Sequence, residues 1–334
     1  MVGVGRRWRE RVSRYGPAMN VGMCFDRGLP APFVIELAEA LESTEVDQLW
    51  VIEDCFYTAG VSLAAAALAR TTALTVGIGI LPAVARNPAV TAMEIATLDQ
   101  LAPGRLIAGL GHGVQDWMSQ MGARTASPLT TLEEAITIVR RLLHGERVSF
   151  DGAEFSMCDV ALDAPPSDPP PVLAGVRGPK SLALAGRVAD GVVLAEGTGP
   201  SCVRESIAHA GSPEPFRVSV FTALAVDDDA ALARRQMAPF VARLLEGTDP
   251  APLAHPHIDE IRERHDARGV DGITDMPAEW WIEFGAIGNF DDAVRHAEAL
   301  ADAGVHDVAF FPGPPADATR KALALVDRLA AALR

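Results

Sequence analysis

Short apolar runs rich in β-branched residues alternate with longer segments of helical periodicity along this chain. The runs typical of strands lie at residues 20–25, 47–54, 74–81, 105–110, 172–176, 191–196, 216–226 and 305–312. This alternation predicts a parallel sheet whose strands are joined by helices. Because eight strand–helix repeats are the number that closes a barrel, we predict an α/β protein with a (β/α)8 TIM-barrel fold. In that fold the functional groups lie at the carboxyl ends of the strands.

The length of 334 residues leaves room for additions to such a barrel. We predict an N-terminal tail over residues 1–18 and a single barrel domain over residues 19–334. A D-G turn in "VSFDGAEFSM" predicts a hairpin insertion near residues 147–170. A charged helical segment, longer than one crossover requires, predicts a helical insertion near residues 228–280.

The composition argues against several classes of function. A net charge of −15 disfavours a nucleic-acid partner, because neutralising phosphates requires a basic surface. No run approaches the roughly 18 apolar residues of a membrane span, so no membrane partner is expected. The four cysteines lack zinc spacing, and "HPH" at residues 255–257 has no metal-binding pattern around it. We therefore expect a cytoplasmic protein with reduced thiols, no metal and a small-molecule substrate.

Three glycines alternate with other residues after the fourth predicted strand. Gly109, Gly111 and Gly113 form a G-x-G-x-G pattern, with His112 between the last two. The spacing and the position differ from the G-x-G-x-x-G turn of a dinucleotide-binding fold, which follows the first strand. Two interpretations stay open: a structural turn between strand and helix, or a loop that lets a ligand approach backbone amides where no Cβ intervenes.

Three segments carry a family resemblance. They are "NPAVTAMEIATLDQLAPGRLIAGLGHG" (87–113), "GVRGPKSLALAGRVADG" (175–191) and "AIGNFDDAVRHAEALADAGVHDVAFF" (286–311). They resemble the bacterial luciferase-like superfamily of flavin and deazaflavin oxidoreductases. The chain is most similar to the coenzyme F420-dependent branch that includes methylenetetrahydromethanopterin reductase, and the resemblance covers nearly the whole chain after residue 20.

The resemblance implies where a cofactor binds. In the family the tricyclic ring lies in the barrel mouth, in front of a non-proline cis peptide that corresponds to Gly79–Ile80. The cofactor phosphate lies at the start of the helix after the fifth strand, which here begins at Pro179. The implied cofactor-binding residues are Asp54, Gly79, Ile80, Gly111, His112, Gly113, Gly175, Val176, Arg177, Gly178 and Lys180. For Arg177 and Lys180 the alternative is that they are solvated surface charges.

Asp54 and His112 are the predicted catalytic residues. Alternation at the end of the second strand allows only one of Glu53 and Asp54 to point inward, and the resemblance places Asp54 near the cofactor's hydride-transfer edge. The alternative is that one of them caps the next helix. His112 has an ordinary pKa of about 6.5, which suits a general acid or base or a substrate contact.

The predicted substrate-binding residues are Asp26, Cys55, Trp117 and Trp281. Trp281 is equally compatible with a core position. The chain departs from the family at two places. Methylenetetrahydromethanopterin reductases have a glutamate in the first strand where this chain has Cys24. Some relatives have a glutamate shortly after the glycine loop, where this chain has Val114, Gln115 and then Asp116.

The resemblance implies an oxidoreductase that transfers a hydride between coenzyme F420 and a small organic substrate. Two alternatives remain. One is an FMN-dependent luciferase-like monooxygenase that uses O2, and the other is a cofactor-binding homologue without catalysis. By analogy with the family, we expect a homodimer.

Overall fold

The computed structural model describes residues 12–13, 16–17, 19–212, 214–247, 254–313 and 315–334. Most of the predicted tail, residues 1–18, lies outside the described residues. Within that stretch Val12–Ser13 pairs with Gly16–Pro17 in an antiparallel arrangement. No helix in the described part of the chain is both long and apolar enough to cross a membrane.

Eight parallel strands close into a barrel, each hydrogen-bonded to the next along the chain, and the eighth pairs with the first. They are β1 (Asn20–Phe25), β2 (Gln48–Val51), β3 (Thr75–Pro82), β4 (Leu106–Gly111), β5 (Val172–Gly175), β6 (Gly191–Leu194), β7 (Arg217–Val226) and β8 (Asp307–Phe311). The strands are mostly buried on both faces, as expected for continuous apolar runs in a parallel sheet. The predicted (β/α)8 barrel is confirmed.

One helix follows each strand as its main crossover. The helices are α1 (Phe33–Glu42), α2 (Gly60–Arg70), α3 (Pro88–Leu101), α4 (Pro128–Leu143), α5 (Pro179–Val188), α6 (Pro200–Ala210), α7 (Phe290–Asp302) and α8 (Ala316–Ala332). Local sequence explains several starts: Asn87 caps α3 before a proline at its first position, and Asn289 and Asp292 form a capping box on α7.

Additional elements lie within both stretches predicted as insertions. The hairpin strands Val148–Asp151 and Ser156–Val160 follow α4. Between β7 and α7 lie the helices Ala230–Glu246, Ile258–Arg268 and Val270–Thr274, the 3-10 helix Ala278–Glu283 and the short strand Gly285–Gly288. Two shorter elements, the 3-10 helix Ala83–Ala85 and the helix Gln115–Gln120, follow β3 and β4.

Apolar side chains fill the barrel interior. They are Cys24, Trp50, Ile107, Leu173, Val193, Phe221 and Ala309. Gly77 leaves room for the Trp50 indole, since a Cβ at Gly77 would lie 2.3 Å from that ring. The interior is therefore closed by packing, and a ligand has to bind above it, at the carboxyl ends of the strands. We call this end of the barrel the mouth.

The opposite end of the barrel holds a saturated polar network around Asp307. This fully buried carboxylate accepts hydrogen bonds from Asn20 (2.8 Å), Gln48 (2.7 Å), Arg217 (2.6 Å) and Ser219 (2.7 Å). Burial by itself raises the pKa of Asp307, but the Arg217 guanidinium and these hydrogen bonds outweigh it and hold the pKa below its ordinary value. This network ties four strands together and leaves the carboxylate no capacity for a ligand.

Candidate active site

Arg27 organises one side of the mouth. Its guanidinium lies 2.7 Å from the Asp54 carboxylate, 4.9 Å from the Tyr57 ring centroid and 5.9 Å from that of Trp117. Arg27 lies in the loop after β1. Its partners come from the loop after β2 and from the short helix after β4. Ion pairing and cation–π contacts thus bring together residues that are distant in sequence.

The predicted residues Asp26 and Cys55 lie in the same two loops. The Asp26 carboxylate accepts a hydrogen bond from the Gly28 amide (2.7 Å), which shapes the turn after β1. Burial, followed by the charges of Glu53 and Asp54, raises the pKa of the Cys55 thiol, which therefore stays protonated at neutral pH. The structure places Asp26, Asp54, Cys55 and Trp117 along one rim of the mouth.

Glu53 and Asp54 point in different directions. Glu53 accepts a hydrogen bond from the Gly60 amide at the start of α2 (2.8 Å) and forms an ion pair with Arg86 (2.8 Å). It caps a helix, which is the role that the sequence left open for either acid. Asp54 is therefore the acid available to the mouth.

The third strand is irregular where the resemblance implied it. The Gly79–Ile80 peptide bond is cis, and the pairing of β3 with β4 shifts between Ile78 and Leu81. A Cβ at Gly111 would lie 2.8 Å from the Ile80 side chain, and one at Gly175 would lie 2.5 Å from it. These two glycines accommodate Ile80, which supports the structural interpretation at Gly111. That the glycine loop receives a ligand stays a prediction.

His112 uses both ring nitrogens within the protein. Nδ1 lies 3.1 Å from the Pro128 carbonyl oxygen, which can only accept, and Nε2 lies 3.0 Å from the Ser181 hydroxyl. Burial lowers the pKa of His112, so the ring is neutral, donates from Nδ1 and accepts at Nε2. The next residue, Gly113, has φ of 71° and packs against Met118. This geometry favours a positioning role for His112 over the predicted role as a general acid or base.

Ser181 belongs to the first turn of α5, where the phosphate site was predicted. Gly178 is the N-cap and has no side chain that could cap the helix, and Pro179 is the first helical residue. A Cβ at Gly178 would meet no atom within 4 Å. Among the described residues, none accepts a hydrogen bond from the amides of Lys180 or Ser181. These amides and the helix dipole favour an anion.

The next helix begins with the same two residue types but has no space for an anion. Gly199 is the N-cap of α6 and Pro200 its first residue, yet the Glu283 carboxylate accepts hydrogen bonds from the Ser201 amide (2.9 Å) and hydroxyl (2.7 Å). A Cβ at Gly199 would lie 2.3 Å from the Glu283 carbonyl oxygen. Among the described residues, the protein thus supplies an anion to α6 and none to α5.

A cleft of about 750 Å3, a volume that includes open solvent, adjoins the mouth between α5, α6 and the helix Ala230–Glu246. We call this cleft the cavity. It is lined by Arg177, Leu182, Leu194, Glu196, Gly197, Thr198, Cys202, Glu205, Ser206, His209, Arg243, Leu244 and Gly247. Arg177 reaches it from the loop after β5. Of the other predicted phosphate-loop residues, Val176 is buried and Lys180 is exposed.

Glu196 lies at the candidate site but was not among the residues predicted from the sequence. It follows β6 directly and lines the cavity. Burial raises the pKa of Glu196; Arg177 opposes this shift, and the charges of Asp54 and Asp26 add to it. The available signal was the acid that ends the apolar run "GVVLAE" at a carboxyl strand end.

A family comparison agrees with this geometry. The luciferase-like monooxygenase family matches residues 18–307 of the chain. The chain belongs to this family.

Three proteins show how far the similarity extends. The 5,10-methylenetetrahydromethanopterin reductase of Methanolobus tindarius is 30% identical over 311 residues, which are 87% of this chain and 93% of the relative. The F420-dependent glucose-6-phosphate dehydrogenase of Nakamurella multipartita is 32% identical over 148 residues, which are 42% of this chain and 43% of the relative. The structure of coenzyme F420 dependent tetrahydromethanopterin reductase from Methanopyrus kandleri has a TM-score of 0.75 at 23% identity, covering 93% of this chain and 98% of that one.

These comparisons confirm the predicted superfamily and fold, and the relatives named here are oxidoreductases, as predicted for this luciferase-like chain. The structure shows where one of the two departures from the reductases lies. Cys24, where those enzymes have a glutamate, is fully buried in the barrel interior. Burial raises the pKa of the Cys24 thiol well above its ordinary value, and Glu196 and Asp26 raise it further. The Cys24 thiol is therefore neutral, and the Glu196 carboxyl is near enough to affect its pKa.

Trp281 lies in the core of the helical insertion, away from the substrate-binding position predicted for it. Its side chain is 1% exposed and packs with Phe284 and the insertion helices, because a large indole gains most from full burial. The neighbouring Trp280 stacks on His257, with ring centroids 4.4 Å apart. In the described residues, no group of three or more side chains could hold a metal ion; the His255 ring stacks on Phe284.

Proposed function

We propose that this luciferase-like protein is an F420-dependent oxidoreductase that transfers a hydride between bound coenzyme F420 and a small organic substrate. The observation that carries the proposal is the uncapped start of α5 at the barrel mouth, next to a cavity large enough for a small molecule. Sequence similarity to an F420-dependent dehydrogenase and to a methylenetetrahydromethanopterin reductase supports the choice of cofactor.

The residues present fit a phosphate-bearing cofactor. Gly178 leaves open space in front of the first turn of α5, and Pro179 fixes the helical direction of that turn. The amides of Lys180 and Ser181 would donate hydrogen bonds to phosphate oxygens, and Lys180 adds a positive charge nearby. Gly111, Gly113, Gly175 and Ile80 would lie against the ring.

Each residue of the mouth has a defined task in this function. The cofactor, when bound, supplies two-electron hydride chemistry. His112 holds the Ser181 hydroxyl and so fixes the first turn of α5. Asp54 and Arg27 form a polar pair on the opposite rim that would orient the cofactor edge or the substrate. The packed interior around Trp50 excludes water from below.

Two alternative functions would use the same site. The first is an FMN-dependent monooxygenase that uses O2, and the family description supports it. The α5 start does not distinguish FMN from F420, because helix amides bind any phosphate. A cofactor-binding homologue without catalysis would keep the α5 site, and its rim residues would have no effect on turnover. The cofactor that the protein binds separates the first alternative from our proposal, and turnover separates the second.

The test is a pair of equilibrium titrations on the purified protein, with oxidised F420 and with FMN, followed by fluorescence. We expect F420 to bind at least about tenfold more tightly than FMN, a difference of about 1.4 kcal/mol. Reduced F420 should then be oxidised in the presence of a suitable substrate. Tighter binding of FMN would favour the monooxygenase, and F420 binding without turnover over a broad substrate panel would favour the non-catalytic homologue.

We also propose that the protein is a homodimer whose subunits meet at α2 and α3. Val90, Met93 and Leu101 lie along α3 and are 45%, 54% and 57% exposed. The adjacent α2 has no charged residue before Arg70. Since each chain carries a net charge of −15, two copies meet at lowest electrostatic cost through an uncharged face. Light scattering should give a dimer that Met93→Glu converts to monomer; a native monomer would refute this.

Cytoplasmic location stays a prediction, checked by cell fractionation.

A further inference from the structure

The cavity beside β6 has an inner and an outer end. Its inner end is at the mouth, where Glu196 and Arg177 line it. From there it follows one face of α6, on which Cys202, Ser206 and His209 succeed one another at helical spacing. A molecule in this cavity would therefore place one end at Glu196, beside the predicted cofactor ring, and extend outward along α6.

Two glutamates line this cavity and differ in their partners. The Glu205 carboxylate lies 3.3 Å from Nε2 of His209 in an i,i+4 pair on α6. Glu196 receives no hydrogen bond from any side chain among the residues that the structure describes, and it forms no ion pair there. Its own backbone amide is the one donor to this carboxyl among the described groups. A partly buried carboxyl with so few donors is better hydrogen-bonded when it carries a proton, because it then donates to a ligand.

The groups that face Glu196 reinforce its protonated form. The charges of Asp54 and Asp26, which lie on two other loops, raise the pKa of Glu196. Its own backbone amide and Arg177 lower it. The titratable and charged groups around Glu196 are Cys24, Asp26, Asp54, Arg177, Cys202, Glu205, His209 and Arg243. Burial is the largest of these effects and raises the pKa of Glu196 above its ordinary value.

We propose that Glu196 exchanges a proton with the substrate in this cavity, and that the substrate class is a small molecule with a carbon–oxygen or carbon–nitrogen double bond. The inference rests on the proposed F420-dependent function and deepens it. It also explains why the first strand can have Cys24 in place of a glutamate. The acid that exchanges the proton lies on the loop after β6, so the first strand does not have to supply one.

The chemistry balances with one proton donor and one hydride donor. In the reducing direction a hydride adds to the electrophilic carbon, the π bond breaks, and its electron pair moves to the heteroatom. The heteroatom takes the proton from the Glu196 carboxyl, giving an alcohol or an amine. The substrate is reduced, the dihydrodeazaflavin is oxidised, and the Glu196 carboxylate regains a proton from solvent through the cavity.

The first test compares Glu196→Gln with Glu298→Gln in the F420-loaded protein; Glu298 is an exposed glutamate of α7 outside the cavity. The probes are cyclohexanone, benzaldehyde and 1-pyrroline with reduced F420. We expect Glu196→Gln to lower kcat roughly 100-fold or more, with F420 affinity within about twofold of native, because glutamine keeps the shape but carries no transferable proton. Glu298→Gln should retain kcat within a few-fold. Equal effects of the two variants, or full activity of Glu196→Gln, would overturn the proposal.

The second test needs neither cofactor nor turnover. A carboxyl whose folded pKa is raised contributes stability below its ordinary pKa of 4.5 and loses that contribution as the pH rises through the folded value. Without F420, the native protein should therefore lose stability relative to Glu196→Gln as the pH rises above 4.5, and the stability curve of Glu298→Gln should run parallel to native. Parallel curves for Glu196→Gln would refute a proton-bearing Glu196. Failure of F420 to bind the native protein would instead refute the proposed function.

Discussion

Two helices of this barrel begin with the same pair of residue types and end up with different surroundings. Gly178-Pro179 begins α5 and Gly199-Pro200 begins α6, in adjacent repeats. The α6 start is closed by the Glu283 carboxylate, and the α5 start faces open space. Every helix start has backbone amides without helical partners and a positive dipole end. The difference shows that Glu283 fills this role for α6, and it supports our proposal that a ligand supplies the anion at α5.

The largest expected effect breaks the closed start. Gly199→Val should destabilise the protein by roughly 3 kcal/mol or more, because its Cβ would lie 2.3 Å from the Glu283 backbone, which cannot move like a flexible side chain. Chemical denaturation measures this change. Gly178→Val is the matched variant and should unfold like native, because Gly178 has ordinary extended dihedrals and open space around it. Similar stability of the two variants would contradict the comparison.

A smaller effect removes the anion that the protein provides. Glu283→Ala should lower the free energy of unfolding by about 1 to 2 kcal/mol, since the Ser201 amide loses its acceptor and the α6 dipole its counter-charge. Glu279→Ala, an exposed acid in the same 3-10 helix, is the control and should change stability by less than about 0.5 kcal/mol. If both variants behave alike, Glu283 does not close the α6 start.

The smallest effect concerns the loop that supports the open start. His112→Ala should weaken F420 binding about tenfold, because one hydrogen bond holding Ser181 is worth about 1 to 1.5 kcal/mol. Ser181→Ala should have a similar effect, and the double variant should be no worse than either single one. Additive losses would show that the two residues act separately. A changed pH–rate profile with native F420 affinity would restore His112 as a general acid or base.

Local sequence predicted the barrel well, because each strand and helix depends on residues close to it. The bounds of β1 match the apolar run at residues 20–25, and α5 begins at Pro179, as predicted. The short strand Gly285–Gly288 was not predicted, because its pairing with β7 depends on the fold and its two glycines are unusual in a strand.

The site was predicted only in part, because its properties depend on distant contacts. Period-2 alternation did not show which of Glu53 and Asp54 points into the mouth. The ion pairs show it, because Arg86 binds Glu53 and Arg27 binds Asp54. His112 was interpreted from its ordinary pKa, and its two hydrogen bonds come from residues 16 and 69 positions away. Glu196 was missed because its burial and its cavity arise from α5, α6 and the helix Ala230–Glu246 together.

The affinity of Gly178→Val for oxidised F420, compared with that of the native protein, tests the central claim most directly. Valine fits the N-cap position without strain, and its side chain would occupy the space in front of the α5 amides. We predict that the dissociation constant rises roughly 10- to 100-fold while the unfolding curve stays native, because charge-assisted hydrogen bonds to the phosphate are lost. An unchanged dissociation constant in a folded variant would place the cofactor elsewhere and contradict the account.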